Sequence, residues 1–520
     1  MSDTSPVKGL RRREVVAAGG GLAAGLLVPA WRASSAAAFV RDRPVLTHGV
    51  QTGDVTSRTA VVWARADRPS RLVVQAGDRV IRGPVLTPDT DLTGKVRLDC
   101  LTPGGEVGIT VSLEDLDDAS VTSEPLQATF RTAPVDARDI SFVWSGDLVG
   151  QGWGIDPDRG GLRIFRAMAD VEPDFFLNSG DTCYADGPLE PTVALADGTT
   201  WRNVVTPEKS KVAETLDEYR GQYAYNMTDE ALRAFASKVP QVNQWDDHEV
   251  LNNWYPGEVV DDVRYTEKRV DVLAPHAHQA FFEWLPITPA AQELGRVYRK
   301  MSYGPLLDLF VVDMRTFKDV NDENVYADPS RGLLGAEQLA WLKRGLTASK
   351  ATWKVLAIDL PLGLIVPDGD TAQEGVANRD PGAPLCREQQ FAELLHHTHA
   401  HGVTGIVMLT ADVHYTAAHF YDPARGSAGE FTPFWEFVSG PLNAGAFGPN
   451  VLDPTFGPRA EFVSAPPVAN TGPWGGYQFF GQVAIDAGTR QMTVRLRDID
   501  GKVLFETDLD PDVAPTGPAA

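Results

Sequence analysis

Phe175-Phe176-Leu177-Asn178-Ser179-Gly180-Asp181-Thr182-Cys183-Tyr184-Ala185-Asp186 is the stretch on which the reading of this chain turns. A short apolar run, of the length of a buried strand, breaks into a Gly-Asp turn and a loop rich in oxygen ligands. The same order recurs along the chain. Residues 140–144 run into Ser145-Gly146-Asp147, 307–312 into Asp313-Met314-Arg315, 355–358 into Asp359, and 406–409 into Thr410-Ala411-Asp412. Helical stretches lie between them, at 161–170, 215–236, 335–349 and 387–401. Buried strands alternating with helices predict an α/β layered fold. In such folds ligand groups collect just beyond the carboxyl ends of strands. All five loops carry a ligand or anion-binding residue, so the pattern predicts one shared site.

Outward from that core, the pattern changes. Residues 45–135 read as short strands, among them 59–66, 71–75 and 128–132, with turns such as Pro103-Gly104-Gly105 between them. That spacing predicts an all-β immunoglobulin- or fibronectin-like sandwich. Pro134-Val135-Asp136 reads as a linker, 139–509 as the α/β domain that carries the ligand-rich loops, and 510–520 as a flexible tail. Strands are also expected at 482–485, 492–497 and 502–507, the last two joined by an Asp500-Gly501 hairpin turn.

The first 38 residues read as an address rather than as fold. Arg11-Arg12-Arg13 precede an uncharged Gly/Ala/Leu-rich run over 15–30, and Ala36-Ala37-Ala38 offers small residues for cleavage. The segment resembles a twin-arginine export signal. It implies export through the twin-arginine machinery to a periplasmic, cell-surface or secreted location. No other run has transmembrane length without charges.

Composition narrows the partners. Of 520 residues, 43% are hydrophobic and 22% charged, which excludes disorder for most of the chain. The formal net charge of −23 argues against a nucleic-acid partner, since phosphate backbones are held by clustered Lys and Arg. It is compatible with a phosphorylated substrate if cations supply the positive field. Three cysteines, Cys100, Cys183 and Cys386, are too few and odd for a disulfide scaffold. His396, His397, His399 and His401 read as the polar end of a helix, stopped by Gly402.

The chemistry concentrates in five segments: Ser145-Gly146-Asp147; Ser179 to Asp186; Gln244-Trp245-Asp246-Asp247-His248-Glu249-Val250-Leu251-Asn252-Asn253-Trp254; Asp359; and Thr410-Ala411-Asp412-Val413-His414-Tyr415. Two cations a few ångströms apart can hold a phosphate, lower the pKa of bound water and neutralise in-line displacement. Asp181, in a tight turn, is the natural bridging carboxylate. Tyr184 lies within reach of the same metal, and a phenolate suits a hard trivalent cation. Asp412 and His414 alternate on what reads as an extended segment, so both are expected to point one way. His248 is a candidate general acid or phosphate donor. Arg315 is read equally as a phosphate clamp or as an ion-pair partner of Asp313, and Asn252 and Asn253 as phosphate contacts. Trp245 and Trp254 argue that the intervening acids are partly buried.

Gly-Asp-x-x-Tyr, Trp-Asp-Asp-His-Glu-Val-x-Asn-Asn-Trp and Ala-Asp-Val-His-Tyr, in that order, resemble the PhoD-like alkaline phosphatase/phosphodiesterase family. That family lies within the calcineurin-like metallophosphoesterases and is distantly similar to purple acid phosphatases. His48-Gly49-Val50-Gln51-Thr52-Gly53-Asp54 and Trp435-Glu436-Phe437-Val438-Ser439-Gly440-Pro441 extend the likeness over about 45–500. The resemblance implies a layered β-sandwich core with flanking helices. It implies hydrolysis of phosphate mono- or diesters by a metal-bound hydroxide or oxo group. It also implies Fe³⁺ on Asp147, Asp181, Tyr184 and His414, and Ca²⁺ on Asp181, Asp247, Asp359 and Asp412, with Mn²⁺ or Mg²⁺ as alternatives. Some relatives carry Cys where this chain has Asp147. Asp359 is assigned on strand-end position and order alone. Two other readings compete: a different metal-dependent hydrolase, and a calcium-stabilised exported binding protein without turnover.

Overall fold

The strand Phe175–Ser179 is buried at every position, and so are Leu307–Val311, Trp353–Ala357 and Phe434–Val438. Strands covered on both faces lose the polar alternation of half-solvated ones and read as continuous apolar runs. The computed structural model, which describes residues 43–328 and 331–511, shows what covers them. The export segment and all but the first two residues of the 510–520 tail fall outside the described residues.

Two sheets stack face to face. The first has nine strands, in spatial order Val503–Leu509, Met492–Asp498, Phe479–Ile485, Ile140–Ser145, Phe175–Ser179, Gln241–Gln244, Leu46–Gly53, Ala60–Ala66 and Thr93–Leu98. Its centre is parallel, Phe142 standing opposite Phe175 and Phe176 opposite Gln241. The second has seven strands: Arg299–Tyr303, Leu307–Val311, Trp353–Ala357, Ile406–Thr410, Phe434–Val438, Thr416–Tyr421 and Pro458–Ser464. It is parallel from Leu307–Val311 through Phe434–Val438.

The period of two along each strand assigns its side chains to layers. Phe142, Trp144 and Leu177 face inward and meet Leu309, Val355 and Leu409 of the opposite sheet. Val143 and Phe176 face outward, in one apolar cluster with residues of helices Ile164–Asp170, Glu230–Ala236 and Val270–Trp284. Phe310, Leu356 and Met408 do the same under Gly335–Ala348 and Arg387–Ala400. The order is therefore helices, sheet, sheet, helices. Truncating one of the inner leucines to alanine costs about 2–5 kcal/mol.

The N-terminal residues form a sandwich whose inner layer belongs to the first sheet. Arg79–Leu86, Ser70–Ala76, Glu106–Asp115 and Leu126–Arg131 make a four-stranded outer sheet. Its core includes Leu72, Val74, Val111 and Phe130, packed on Val62 and Val96. At the junction with the catalytic core Gly53 pairs with Gln241, the Asp54 amide donates to the Gln241 carbonyl at 3.1 Å, and Trp63 packs into the cluster of the flanking helices. A buried ion pair, Arg299 to Asp54 at 2.8 Å, locks it.

One helix reads differently in the structure. The stretch 215–236 is two helices, Leu216–Asn226 and Glu230–Ala236. Asp229 accepts from the Leu232 amide at 3.0 Å and caps the second helix. An acid that satisfies an orphan amide starts a new helix more readily than it continues an old one.

Candidate metal centre

The carboxyl ends of the parallel strands converge, and the chain leaves them by sharp turns. Asp147 follows Ile140–Ser145, Asp181 follows Phe175–Ser179, Asp247 follows Gln241–Gln244, and Asp412 follows Ile406–Thr410. The turns are left-handed at non-glycine residues: φ is 64° at Asp147, 47° at Asp181, 64° at Asp412, 60° at His414 and 60° at Asn253. Each such residue costs about 1–2 kcal/mol, and such strain gathers where side chains must be aimed. Glycines make the room. A Cβ at Gly440 would stand 1.9 Å from Asp147 Oδ2, and one at Gly150 would stand 2.5 Å from the Tyr184 ring.

Asp147, Asp181 and His414 present ligand atoms within 4.8 Å of one another. Tyr184 Oη lies 2.7 Å from His414 Nε2. The Gly445 carbonyl lies 2.5 Å from His414 Nδ1. Placing the ring proton on Nδ1 satisfies that carbonyl and leaves the Nε2 lone pair facing the acids. Burial pushes the His414 pKa down to about 4, so the ring is neutral. Burial pushes the Asp147 carboxyl up to about 8 and raises Asp181 and Tyr184 well above their ordinary values. Neither oxygen of Asp147 has a hydrogen-bond partner. Buried carboxylates without a donor are costly unless a proton or a cation joins them. Two acids, a phenol and an imidazole form a donor set that fits a hard cation.

Asp181, Asp247 and His248 form a second such group on the other side of the shared Asp181. The His248 amide donates to Asp181 Oδ1 at 3.1 Å, and the Asn253 amide to Asp247 Oδ2 at 2.5 Å. His248 Nδ1 lies 2.7 Å from Asp186 Oδ1, and its Nε2 lies 3.9 Å from Asp247. Burial opposes its charge, but Asp186 and Asp247 outweigh burial and lift its pKa to about 9. Burial acts upward on Asp247 too, and is overcome by His248 and Arg315, which hold it at about 2. Glu249 ties the two loops together, accepting from the amides of Thr182 at 2.6 Å and Asp246 at 2.8 Å.

Arg315 lies beneath this second group, with no exposed side-chain surface. Its guanidinium pairs with Asp246 and Glu374, and reaches Asp412 Oδ1 at 3.3 Å. Lys318 Nζ, also buried, stands 3.5 Å from Glu374.

Comparison with known proteins bears on what this geometry is for. The PhoD-like phosphatase family model matches residues 142–496, and that of the PhoD-like phosphatase N-terminal domain matches 32–134. The chain belongs to the PhoD-like phosphatase family. Alkaline phosphatase D of Bacillus subtilis (strain 168) is 30% identical over 270 residues, a match spanning 49% of this chain and 44% of that relative. The fold is shared with a solved structure of PhoD, at a TM-score of 0.66 and 19% identity, over 89% of each chain. It is shared too with the purple acid phosphatase PPD1 of yellow lupin (Lupinus luteus), at 0.55 and 13%, over 92% of this chain and 78% of that one.

In this PhoD-like chain the structure brings together Asp147, Asp181, Tyr184 and His414, and sets Asp247 and His248 beside them. Asp359 joins neither group. Its Oδ2 accepts from the Met314 amide at 3.2 Å and its Oδ1 from Gln244 Nε2 at 3.3 Å, with Arg315 3.7 Å away. Asp412 and His414 do not share an extended segment. The left-handed turns at both residues send Asp412 toward Arg315 and His414 toward Asp147. Arg315 bonds its guanidinium to acids other than Asp313, whose carboxylate accepts the Arg315 backbone amide at 3.1 Å, together with Trp245 Nε1 at 3.0 Å and the amide and hydroxyl of Thr316 at 3.0 and 2.7 Å. Complete burial also removes it from any contact with a dissolved substrate in this conformation. Asn252 is exposed, and its amide donates to Asp186 Oδ2 at 2.9 Å. The Asn253 side chain is taken by Asp368 at 3.0 Å. Sequence reasoning passed over Asp186, Glu374 and Lys318. Asp186 lay in plain view in the Gly-Asp-x-x-Tyr-x-Asp run, whereas nothing local marks the other two.

Proposed function

We propose that this chain is an exported metal-dependent phosphoesterase that hydrolyses phosphate monoesters or diesters. The observation that carries the reading is the shared Asp181. One carboxylate with two oxygens belongs to two adjoining ligand groups, which is what a two-cation site requires. Family membership supports the reaction class. We assign Fe³⁺ to Asp147, Asp181, Tyr184 and His414, because a phenolate beside two carboxylates is a hard, anionic set. We assign Ca²⁺ to the oxygen-rich side, Asp181 and Asp247 with Asp412 as the further acid, because calcium accepts irregular oxygen cages. The cations supply Lewis acidity and a nucleophile at neutral pH when bound.

The chain's own residues handle the protons and the geometry. His248 is charged at neutral pH and anchored through Nδ1 by Asp186. Its Nε2–H is therefore the free donor, suited to a phosphoryl oxygen or to the leaving alkoxide. A charged imidazole is no metal ligand, so the group of Asp181, Asp247 and His248 is read as two ligands and one acid. Asn252 is exposed beside it and available to the substrate. Arg315 holds Asp412 in place from behind. Export through the twin-arginine route rests on the N-terminal 38 residues. Among the described residues no helix is long and apolar enough to cross a membrane.

The test is elemental analysis of the purified protein together with release of a chromogenic leaving group from a phosphate monoester and a phosphate diester. Iron and calcium with turnover of either ester is the expected result. Calcium alone without turnover would make the chain a binding protein, and zinc with amide hydrolysis would make it a different hydrolase.

A further inference from the structure

Residues 367–373 form a two-stranded hairpin, Pro367–Asp368 against Ala372–Gln373, standing beside the acids of the second group. An isolated hairpin of this length has almost no stability of its own. Its position is set by contacts with its surroundings, among them, on the returning strand, the Gln373 amide donating to the Asp322 carbonyl at 2.7 Å and the Gln373 carbonyl accepting from Arg387 at 2.8 Å. At the base the Ile365 amide donates to the Val451 carbonyl at 2.9 Å, and Glu374 pairs with Arg315 and Lys318. Toward the tip one residue holds it. Asp368 accepts from Asn253 Nδ2 at 3.0 Å through Oδ1 and from Asn321 Nδ2 at 2.9 Å through Oδ2.

Asn253 has a second task. Its backbone amide donates to Asp247 Oδ2, and its φ of 60° sets the direction of its side chain and carbonyl relative to that amide. Asparagine is among the few residues that take this conformation readily. Asn321 Nδ2 and Lys318 Nζ hold the Asn253 carbonyl at 2.7 and 3.3 Å. The same residue is thus gripped by the hairpin through its side chain and grips Asp247 through its main chain.

We propose that Asp368 is a positioning residue: by clamping Asn253, it helps to seat the 367–373 hairpin and fixes Asp247 for the second cation, so that the seating of the hairpin and cation affinity are coupled. The inference rests on the two-cation reading above. Asp368 touches neither substrate nor cation in this scheme. Loss of an outer-shell partner of this kind costs a metal site about 10–100-fold in affinity.

The experiment compares wild type, Asp368→Asn, Asn253→Asp and the double exchange Asp368→Asn/Asn253→Asp in the full-length protein. Asp368→Asn places two amide donors nose to nose with one acceptor missing. The double exchange restores both contacts, because the new amide at 368 donates to the new carboxylate at 253 and still accepts from Asn321. Calcium alone is titrated by calorimetry, without substrate. Amide hydrogen exchange is followed at 253 and across 366–375, and the tyrosinate–iron absorbance is recorded. We expect Asp368→Asn to weaken calcium about tenfold, to speed exchange at 253 together with the hairpin, and to leave the absorbance unchanged. The double exchange should recover most of the affinity. Unchanged calcium affinity in Asp368→Asn overturns the proposal, as does faster exchange in the hairpin without any at 253. A double exchange no tighter than the weaker single variant overturns it too. Wild-type protein that binds no calcium sinks the underlying two-cation reading instead, and the proposal with it.

Discussion

Asp246, Glu374 and Asp412 crowd around the guanidinium of Arg315, with Lys318 close by. One loop away, Asp147 and Asp181 are as deeply buried and have no Arg or Lys of their own. Both groups consist of acids at the carboxyl ends of strands, in the same dry environment. They differ in who supplies the positive charge. Where the chain encodes its own cation, acids such as Asp246 and Glu374 serve to hold loops in place, and Asp412 stands between this hub and the second group. Where it encodes none, and leaves both oxygens of Asp147 without a donor, the acids point to a cation from outside. Proximity of carboxylates alone does not mark a metal site; an acid with neither donor nor cation, as at Asp147, is the stronger sign.

Asp181→Asn is the variant with the largest expected effect. An amide keeps the shape of the bridge and loses the charge that holds two cations together. Turnover should fall by more than the ~10–100-fold that an outer-shell loss costs, with the circular dichroism spectrum intact. Full metal content and undiminished turnover in the purified variant would mean that Asp181 is not shared.

The comparison is sharpened by a pair of variants measured on metal-free, chelated protein. Arg315→Met leaves three buried acids without their cation and should lower stability by ~3–5 kcal/mol. Asp147→Asn removes an acid that has no cation to lose, and whose carboxyl already holds its proton up to a pH of about 8. Its melting temperature in chelator at pH 7 should equal or exceed that of wild type. Equal destabilisation by both variants would erase the distinction between the two groups.

A spectroscopic variant follows with no expected effect on stability. Tyr184 lies against His414 and above Gly150, in the uncompensated group. Iron bound there should give the protein a visible charge-transfer band, and Tyr184→Phe should bleach it while Asp368→Asn leaves it alone. A colourless wild-type protein with stoichiometric iron would take Tyr184 out of the ligand set.

How much of this was legible beforehand follows from the kind of force involved. Strands such as Phe175–Ser179 announce themselves because hydrophobic burial is written in consecutive residues. Gln241–Gln244 does not, since it is buried yet polar: Gln244 Nε2 donates to the Val312 and Ala357 carbonyls of the opposite sheet at 2.8 and 3.0 Å. A residue that stitches two sheets looks like a loop residue in one dimension. Asp147, Asp181, Tyr184, Asp247 and His414 stood out as candidates because ligand chemistry restricts residue type, and the fold brings them together. The hub at Arg315 was not, because its partners Asp246 and Glu374 lie 69 and 59 residues away along the chain. Asp359 stands outside both ligand groups for a related reason: a strand-end acid can face a metal, an arginine or a backbone amide, and here it meets the Met314 amide, Gln244 and Arg315. The reversal of direction between Asp412 and His414 depends on two left-handed residues that carry no sequence signal of their own.

Glu388 offers the smallest effect and a third answer to the same question. It is fully buried in the first turn of the helix Arg387–Ala400. Oε2 accepts from Asn378 Nδ2 at 2.9 Å and from the Leu385 amide at 3.2 Å, while Oε1 has no partner. Burial, with Asp453 and Asp380 near, pushes its carboxyl up to about 8. It belongs to neither ligand group, so its compensation is a proton. The sign of the linkage follows. The unfolded chain releases this proton near pH 4, whereas the folded chain keeps it to about 8. The folded state binds more protons across that window, so the contribution to stability is complete below pH 4 and is lost as pH rises through 8. Glu388→Gln mimics the protonated form at every pH. The melting temperatures of wild type and variant should agree at pH 4, and at pH 9 the variant should be higher by at least ~1 °C. A gap that is the same at both pH values would show that Glu388 is ionised when folded.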